Sequence, residues 1–192
     1  MRKNRITLLI GVAALMCFTV ARGQCADTVH LMGNHPREAE GFANKPDADP
    51  ARVLSMQIRF TPRNQSELNQ LLADQQNPAS PNFHKWLKTG EFDQRFGPSQ
   101  SEIDAVADWL RSEGFTVEST SDGYIAFSGT VAQAERAFAT RIVAFDDGKT
   151  YANLTDPTIP ARFAGVIGNI LGLDNTMHAV PVAPHRIAPT VN

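Results

Sequence analysis

Apolar and polar residues alternate along "RVLSMQIRF". Leu54, Met56, Ile58 and Phe60 fall on one side and Ser55, Gln57 and Arg59 on the other, the pattern of a half-buried strand. A helix is predicted over 64–76, where Leu68, Leu71 and Leu72 share a face, Asn64 offers a cap and Pro78 a stop. The segment 99–114 carries a stronger helix signal. Ser99 and Glu102 form a capping box, Ile103, Val106, Ala107 and Leu110 make an apolar stripe, and Gly114 closes it. Two strands, 115–120 and 124–129, flank the turn "SDG". Thr130 and Gln133 then repeat the capping logic for a helix over 130–140, with Val131, Ala134 and Phe138 on one side. "RIVAF" and "KTYANL" predict a second hairpin. Phe163, Val166, Ile167 and Ile170 stand at helical spacing, with Pro160 near the start, so a last helix is predicted over 159–174.

This order is strand, helix, helical insert, helix, strand, strand, helix, strand. Without the insert it is β-α-β-β-α-β, the ferredoxin-like or split βαβ plan: an α+β fold with an antiparallel sheet covered by helices on one face. Residues 24–50 lack periodicity and are rich in Pro, Gly, Asn and Asp, which predicts a flexible leader. The globular domain is expected over 51–175, and the Pro-rich end, 176–192, as an extended tail.

The first residues add an address. "MRKNR" is a basic start, an uncharged apolar run of 16 residues follows, and small residues precede a cleavage point between Gly23 and Gln24. Residues 1–23 are therefore expected to be a signal peptide. No stable membrane span is expected after its cleavage, and the expected location is secreted or extracytoplasmic. The full chain has 18 basic and 20 acidic residues; removing Arg2, Lys3, Arg5 and Arg22 with the signal leaves 14 against 20, a charge of −6. An acidic surface without Lys/Arg clusters argues against nucleic acid as a partner. Cys25 would be the one cysteine left, so neither an internal disulfide nor a thiolate metal site is expected.

Candidate chemistry is sparse. His84 sits between Phe83 and Trp86 in "SPNFHKWL", where an aromatic packing role outweighs a general base without a visible nucleophile. No H-x-x-x-H or H-E-x-x-H spacing exists. "FSGT" lacks the flanking glycine of a nucleophile elbow and reads as strand end, turn and helix cap. Glu118 and Asp122, an E-x-x-x-D match, straddle a strand and a turn rather than one helix face. No glycine pattern makes a phosphate cradle, and neither cofactor nor catalytic residue is expected.

An ordered set of motifs nevertheless stands out over residues 52–175. It runs from "SPNFHKWL" through "FDQRFGPS", "FSGT", "RAF" and the Ile159-Pro160 pair to "GLD" at 172–174. Together these resemble the pro-kumamolisin activation domain, the N-terminal propeptide of sedolisin (serine-carboxyl) peptidases. Lys88, inserted between Leu87 and Thr89, is a small local departure. The resemblance implies a ferredoxin-like propeptide that assists folding of a peptidase and blocks it until acid processing.

It does not carry the peptidase chemistry along. The family's catalytic domain is expected to show a Glu-x-x-x-Asp helix, a Ser-Gly-Thr-Ser motif and a calcium site. Here Val131 follows Ser128-Gly129-Thr130, and the 18 residues after "GLD" are too few for such a domain. The expected function is a secreted module that binds a sedolisin catalytic domain, in trans or from a split gene, as inhibitor and folding assistant. The alternatives are the front of a peptidase precursor whose catalytic domain is lost or encoded separately, and a ferredoxin-like domain recruited to another ligand. Phe83, His84, Trp86, Phe92 and Phe96 are the candidate peptidase interface, together with the sheet face. Asn175, His178, Pro181 and His185 mark a candidate cleft-binding tail. Protonation of His84, His178 or His185 below about pH 6.5 would change the charge at such an interface.

Overall fold

The chain enters its fold earlier than its hydrophobic pattern suggests. The computed structural model describes residues 27–145 and 148–176. Its strands and helices are β1 (Thr28–His30), β2 (Val53–Phe60), α1 (Gln65–Gln76), α2 (Glu91–Phe96), α3 (Gln100–Ser112), β3 (Thr116–Thr120), β4 (Tyr124–Thr130), α4 (Val131–Phe138), β5 (Ile142–Ala144), β6 (Tyr151–Asn153), β7 (Thr158–Pro160) and β8 (Ile167–Leu171). Short 3-10 turns occupy Ala39–Phe42 and Ala161–Phe163.

Four strands form the central sheet in the order β3-β4-β2-β8, every neighbour antiparallel. That is the ferredoxin-like order, so the expected fold class holds. The alternation of β2 is realised as read: Leu54, Met56 and Ile58 are buried, while Val53, Ser55 and Arg59 are exposed. Beneath them α3 buries Ile103, Val106, Ala107, Trp109 and Leu110, and α4 buries Val131, Ala134 and Phe138. Phe115, Phe127 and Phe138 interlock, with ring centroids 5.2 Å, 5.5 Å and 6.3 Å apart. Each such ring contributes about 1.5–3 kcal/mol by leaving water.

Both capping boxes form. Ser99 Oγ accepts from Glu102 N–H while Ser99 N–H donates to Glu102 Oε2 at 2.7 Å, and Thr130 pairs with Gln133 in the same way. Asn64 does not cap α1; it sits at φ 52° with no side-chain cap bond. The helix ends at Asn77, before Pro78, as the restricted residue before a proline requires. Of its leucine stripe only Leu68 is buried, so α1 belongs to the insert and α3, not α1, is the first sheet-covering helix.

Three expectations are corrected. The helix predicted over 159–174 is instead β7, a 3-10 turn and β8. Ile167 and Ile170 are both buried although three residues apart, because the β2–β8 register shifts between Arg59 and Phe60 and leaves Gly168 as an extra residue. A bulge thus gives a strand the apolar spacing of a helix. The fourth sheet strand is this segment, whereas "RIVAF" pairs with β6 in a separate two-stranded sheet and is bridged on its other side by the arm at Asp47. Finally, the leader is not a flexible segment from residue 27 onward. β1 pairs with β7, Ala39 and Ala48 are buried, and Arg141 holds Asp47 Oδ1 at 2.6 Å as well as the carbonyls of Ala43 and Lys45.

Candidate functional site

The insert between α1 and α3 is built around one buried amide. Gln75 Nε2 donates to the Lys85 carbonyl at 2.6 Å, and His84 N–H donates to the Gln75 carbonyl at 3.1 Å. These bonds pin a loop in which His84 takes the left-handed region, φ 55°. That geometry costs a non-glycine residue about 1–2 kcal/mol, and it aligns three rings. Phe83 stacks on His84 at 3.7 Å and 24°, and His84 lies 6.1 Å from Trp86 at 17°. Trp86 is 68% exposed. The His84 ring makes no side-chain hydrogen bond among the described residues, and its neighbours are aromatic rather than a nucleophile.

The other two aromatic candidates form a separate group. Phe92 is 41% exposed and packs 5.5 Å from Phe96, which is fully buried. Phe96 is thus corrected from contact residue to support: its side chain is buried beneath Phe92, where it anchors α2 and forms the floor of a groove. Arg95 reinforces the anchor by bonding Glu67 of α1 at 2.7 Å and lying 5.0 Å over the Phe96 ring. A groove of about 200 Å³ opens here, lined by Phe92, Phe96, Arg59, Pro62 and the hairpin turn at Asp122 and Gly123.

The larger open surface is the sheet face away from α3 and α4. Gln57 pairs with Ala126 on one side and Leu171 on the other, and Arg59 with Tyr124 and Asn169. These residues, with Val53, Ser55 and Ser128, make a face of small, polar and scattered apolar groups in which Val53 is 66% and Leu171 47% exposed. Arg59 lies 5.8 Å over the Tyr124 ring.

Asn175, named with the candidate cleft-binding residues, is held by the body. Asn175 N–H donates to the Tyr151 carbonyl, Tyr151 N–H donates to Asn175 Oδ1 at 2.7 Å, and Asn175 Nδ2 reaches the Lys149 carbonyl. Asn175 is therefore part of the folded body, bonded edge-on to β6. His178, Pro181 and His185 lie outside the described residues, as do Gly23 and Gln24. Among the described residues no cluster of three metal-ligating side chains occurs, and no helix is long and apolar enough to cross a membrane.

The sequence reading missed Gln75 and a polar cluster around Asp156. A glutamine in a polar helix carries no periodic signal, and Asp156 meets its partners from residues more than a hundred positions away.

Comparison with known proteins places this body. Residues 40–176 match the family described as Pro-kumamolisin, activation domain. The chain belongs to that family. Xanthomonalisin of Xanthomonas sp. (strain T-22) is 33% identical over 164 residues, covering 81% of this chain and 20% of that protein. Sedolisin of Pseudomonas sp. (strain 101) is 30% identical over 134 residues, covering 68% and 22%. Aorsin of Aspergillus oryzae is 26% identical over 149 residues, covering 74% and 21%. The chain thus spans about a fifth of the length of these relatives, and what it matches is an activation domain. The match begins within the arm that precedes β2, at the 3-10 turn, in keeping with the folded body described above.

Proposed function

We propose that this pro-kumamolisin activation domain acts outside the cytoplasm. There it binds the catalytic domain of a sedolisin-type serine-carboxyl peptidase as inhibitor and folding assistant. The observation that supports the reading most is the open sheet face: two helices cover one side of a four-stranded sheet, and the other side carries Val53, Gln57, Tyr124 and Leu171 without a covering helix among the described residues. The Phe83–His84–Trp86 ladder, held rigid by Gln75, is a second contact area of the kind that binding favours, because its rings are already ordered.

The direct test mixes the full chain with a purified sedolisin catalytic domain at neutral and acidic pH. Co-elution and loss of peptidase activity at one pH or more is the expected result. No association at any pH, with processed or unprocessed peptidase, would refute the reading.

A second reading follows from the lengths. Since the matched stretch is about a fifth of each relative, the domain could serve a peptidase encoded in continuation with it. An open frame downstream encoding a Ser-Gly-Thr-Ser motif would support service in cis, and unrelated sequence there would leave service in trans.

A further inference from the structure

Three donors converge on one carboxylate in a part of the molecule that the peptidase reading does not use. Asp156, in the loop between β6 and β7, accepts from Gly33 N–H at 3.1 Å, Asn34 N–H at 2.6 Å and His35 Nδ1–H at 2.7 Å. A carboxylate is an acceptor only, so Nδ1 of His35 carries the proton. The Asp156 side chain is 11% exposed.

What Asp156 holds does a second job. Asn34 Nδ2 donates to the Ile170 carbonyl at 2.8 Å, and Ile170 N–H donates to Asn34 Oδ1 at 2.6 Å. One side-chain amide thereby reproduces the pairing of a strand residue on the outer edge of β8, at the margin of the sheet. Bare edges of this kind are templates for further strand pairing, and proteins cover them. The Asn34 carbonyl is itself tied to buried Asn153 Nδ2 at 2.9 Å.

We propose that Asp156 is an acid-sensitive clasp: its carboxylate holds the N-terminal arm at Gly33–His35, and protonation frees the arm together with the Asn34 side chain that covers β8. The chemistry is one of acceptor loss. A protonated Asp156 loses its charge and part of its acceptor capacity, so the three N–H groups that converge on the carboxylate are held more weakly. Burial pushes this carboxyl up, but the hydrogen bonds from His35, Gly33 and Asn34 outweigh it and hold it below the usual carboxylate range. The sign follows directly. A depressed folded value means the clasp is closed above the unfolded value of about 3.9 and opens as pH falls through the folded one. Other titratable groups surround it: His30, whose Nδ1 lies 3.5 Å from the Asp156 carbonyl, and Arg37, Glu38 and Asp174 in the adjoining groove of about 580 Å³. Among the described residues, none of them accepts a hydrogen bond from the three donors that hold Asp156. The clasp is independent of whether a peptidase binds.

The test is amide exchange by NMR on the full chain. Leu31 N–H, bonded to the Pro157 carbonyl, reports the arm, and Ile170 N–H reports the covered edge. Phe115 and Val131 N–H groups report the body. In Asp156→Asn at neutral pH, Leu31 and Ile170 are expected to exchange at least about tenfold faster than in the wild type, with Phe115 and Val131 unchanged. In Asn34→Ala only Ile170 should lose protection. In the wild-type titration, Leu31 and Ile170 signals should move together at a midpoint below about 3.9. Unchanged exchange in Asp156→Asn overturns the clasp, and so does simultaneous loss of all four amides in acid. Retained Ile170 protection in Asn34→Ala overturns the edge cover. If Asp156→Asn does not fold, the wild-type titration decides alone.

Discussion

His84 and Ala139 show how much a single backbone angle decides. Both lie in the left-handed region, at φ 55° and 48°, without being glycine. At His84 the angle is used: it turns the ring between Phe83 and Trp86. At Ala139, the exposed C-cap of α4, it serves only to end a helix. Ala139→Gly should therefore stabilise the chain by about 1 kcal/mol, read as a higher urea midpoint, since no packing is lost. An unchanged or lower midpoint would show that the strain is absent. Gly172 is the opposite case. It sits at φ 89°, and a Cβ there would run into the Ser55 carbonyl oxygen and Met56 Cα of β2. Gly172→Ala is expected to cost more than about 2 kcal/mol, because both the angle and the backbone of a central strand resist.

Helix ends were the most legible elements, and their reasons are local. The Ser99–Glu102 and Thr130–Gln133 boxes need only residues three apart, so spacing alone finds them. The Ser99 hydroxyl, then its backbone N–H, holds the Glu102 carboxyl below its ordinary value. Its contribution is thus present above the unfolded value of about 4.3 and fades as pH falls through the folded one. Ser99→Ala should lower stability by about 1 kcal/mol at neutral pH, and the difference from wild type should shrink in acid. A pH-independent difference between the two melting curves would remove Glu102 from the account. The elements misread were those whose signal is long-range. Phe163, Val166, Ile167 and Ile170 match a helix stripe, yet Gly165, Gly168 and Gly172 interrupt it and β2 supplies the pairing that makes Ile167–Leu171 a strand. Asn64 failed as a cap because its own backbone is left-handed.

At the scale of the molecule, the ferredoxin-like sheet has two unlike faces. Substitutions on the covered face unfold the domain: Phe138→Ala should cost about 3–5 kcal/mol. On the open face they should spare the fold and damage binding. Leu171→Asp, beside Gln57, is expected to leave the urea midpoint nearly unchanged while weakening capture of a sedolisin catalytic domain by about tenfold or more. Trp86→Ala should also spare stability, because the ring is mostly in water. If both variants bind like wild type, the contact lies on neither the sheet face nor the aromatic ladder.

Whatever rests on neighbours in the chain was legible before any folding. The amino-acid order set the alternation of β2, the two capped helices, the turn Ser121–Gly123, the fold class and, through ordered motifs, the activation-domain family. Of the candidate site it supplied the aromatic ladder but could not separate exposed Trp86 from buried Phe96, since burial is a property of what lies opposite. The tertiary structure alone decided that the supposed helix at 159–174 completes the sheet, that the supposed leader is an arm paired with β7, and that Asn175 belongs to the body. Each of those rests on hydrogen bonds to partners far along the chain. A stretch of sequence announces its own periodicity, but the donor or acceptor waiting for it is known only once the chain has folded back.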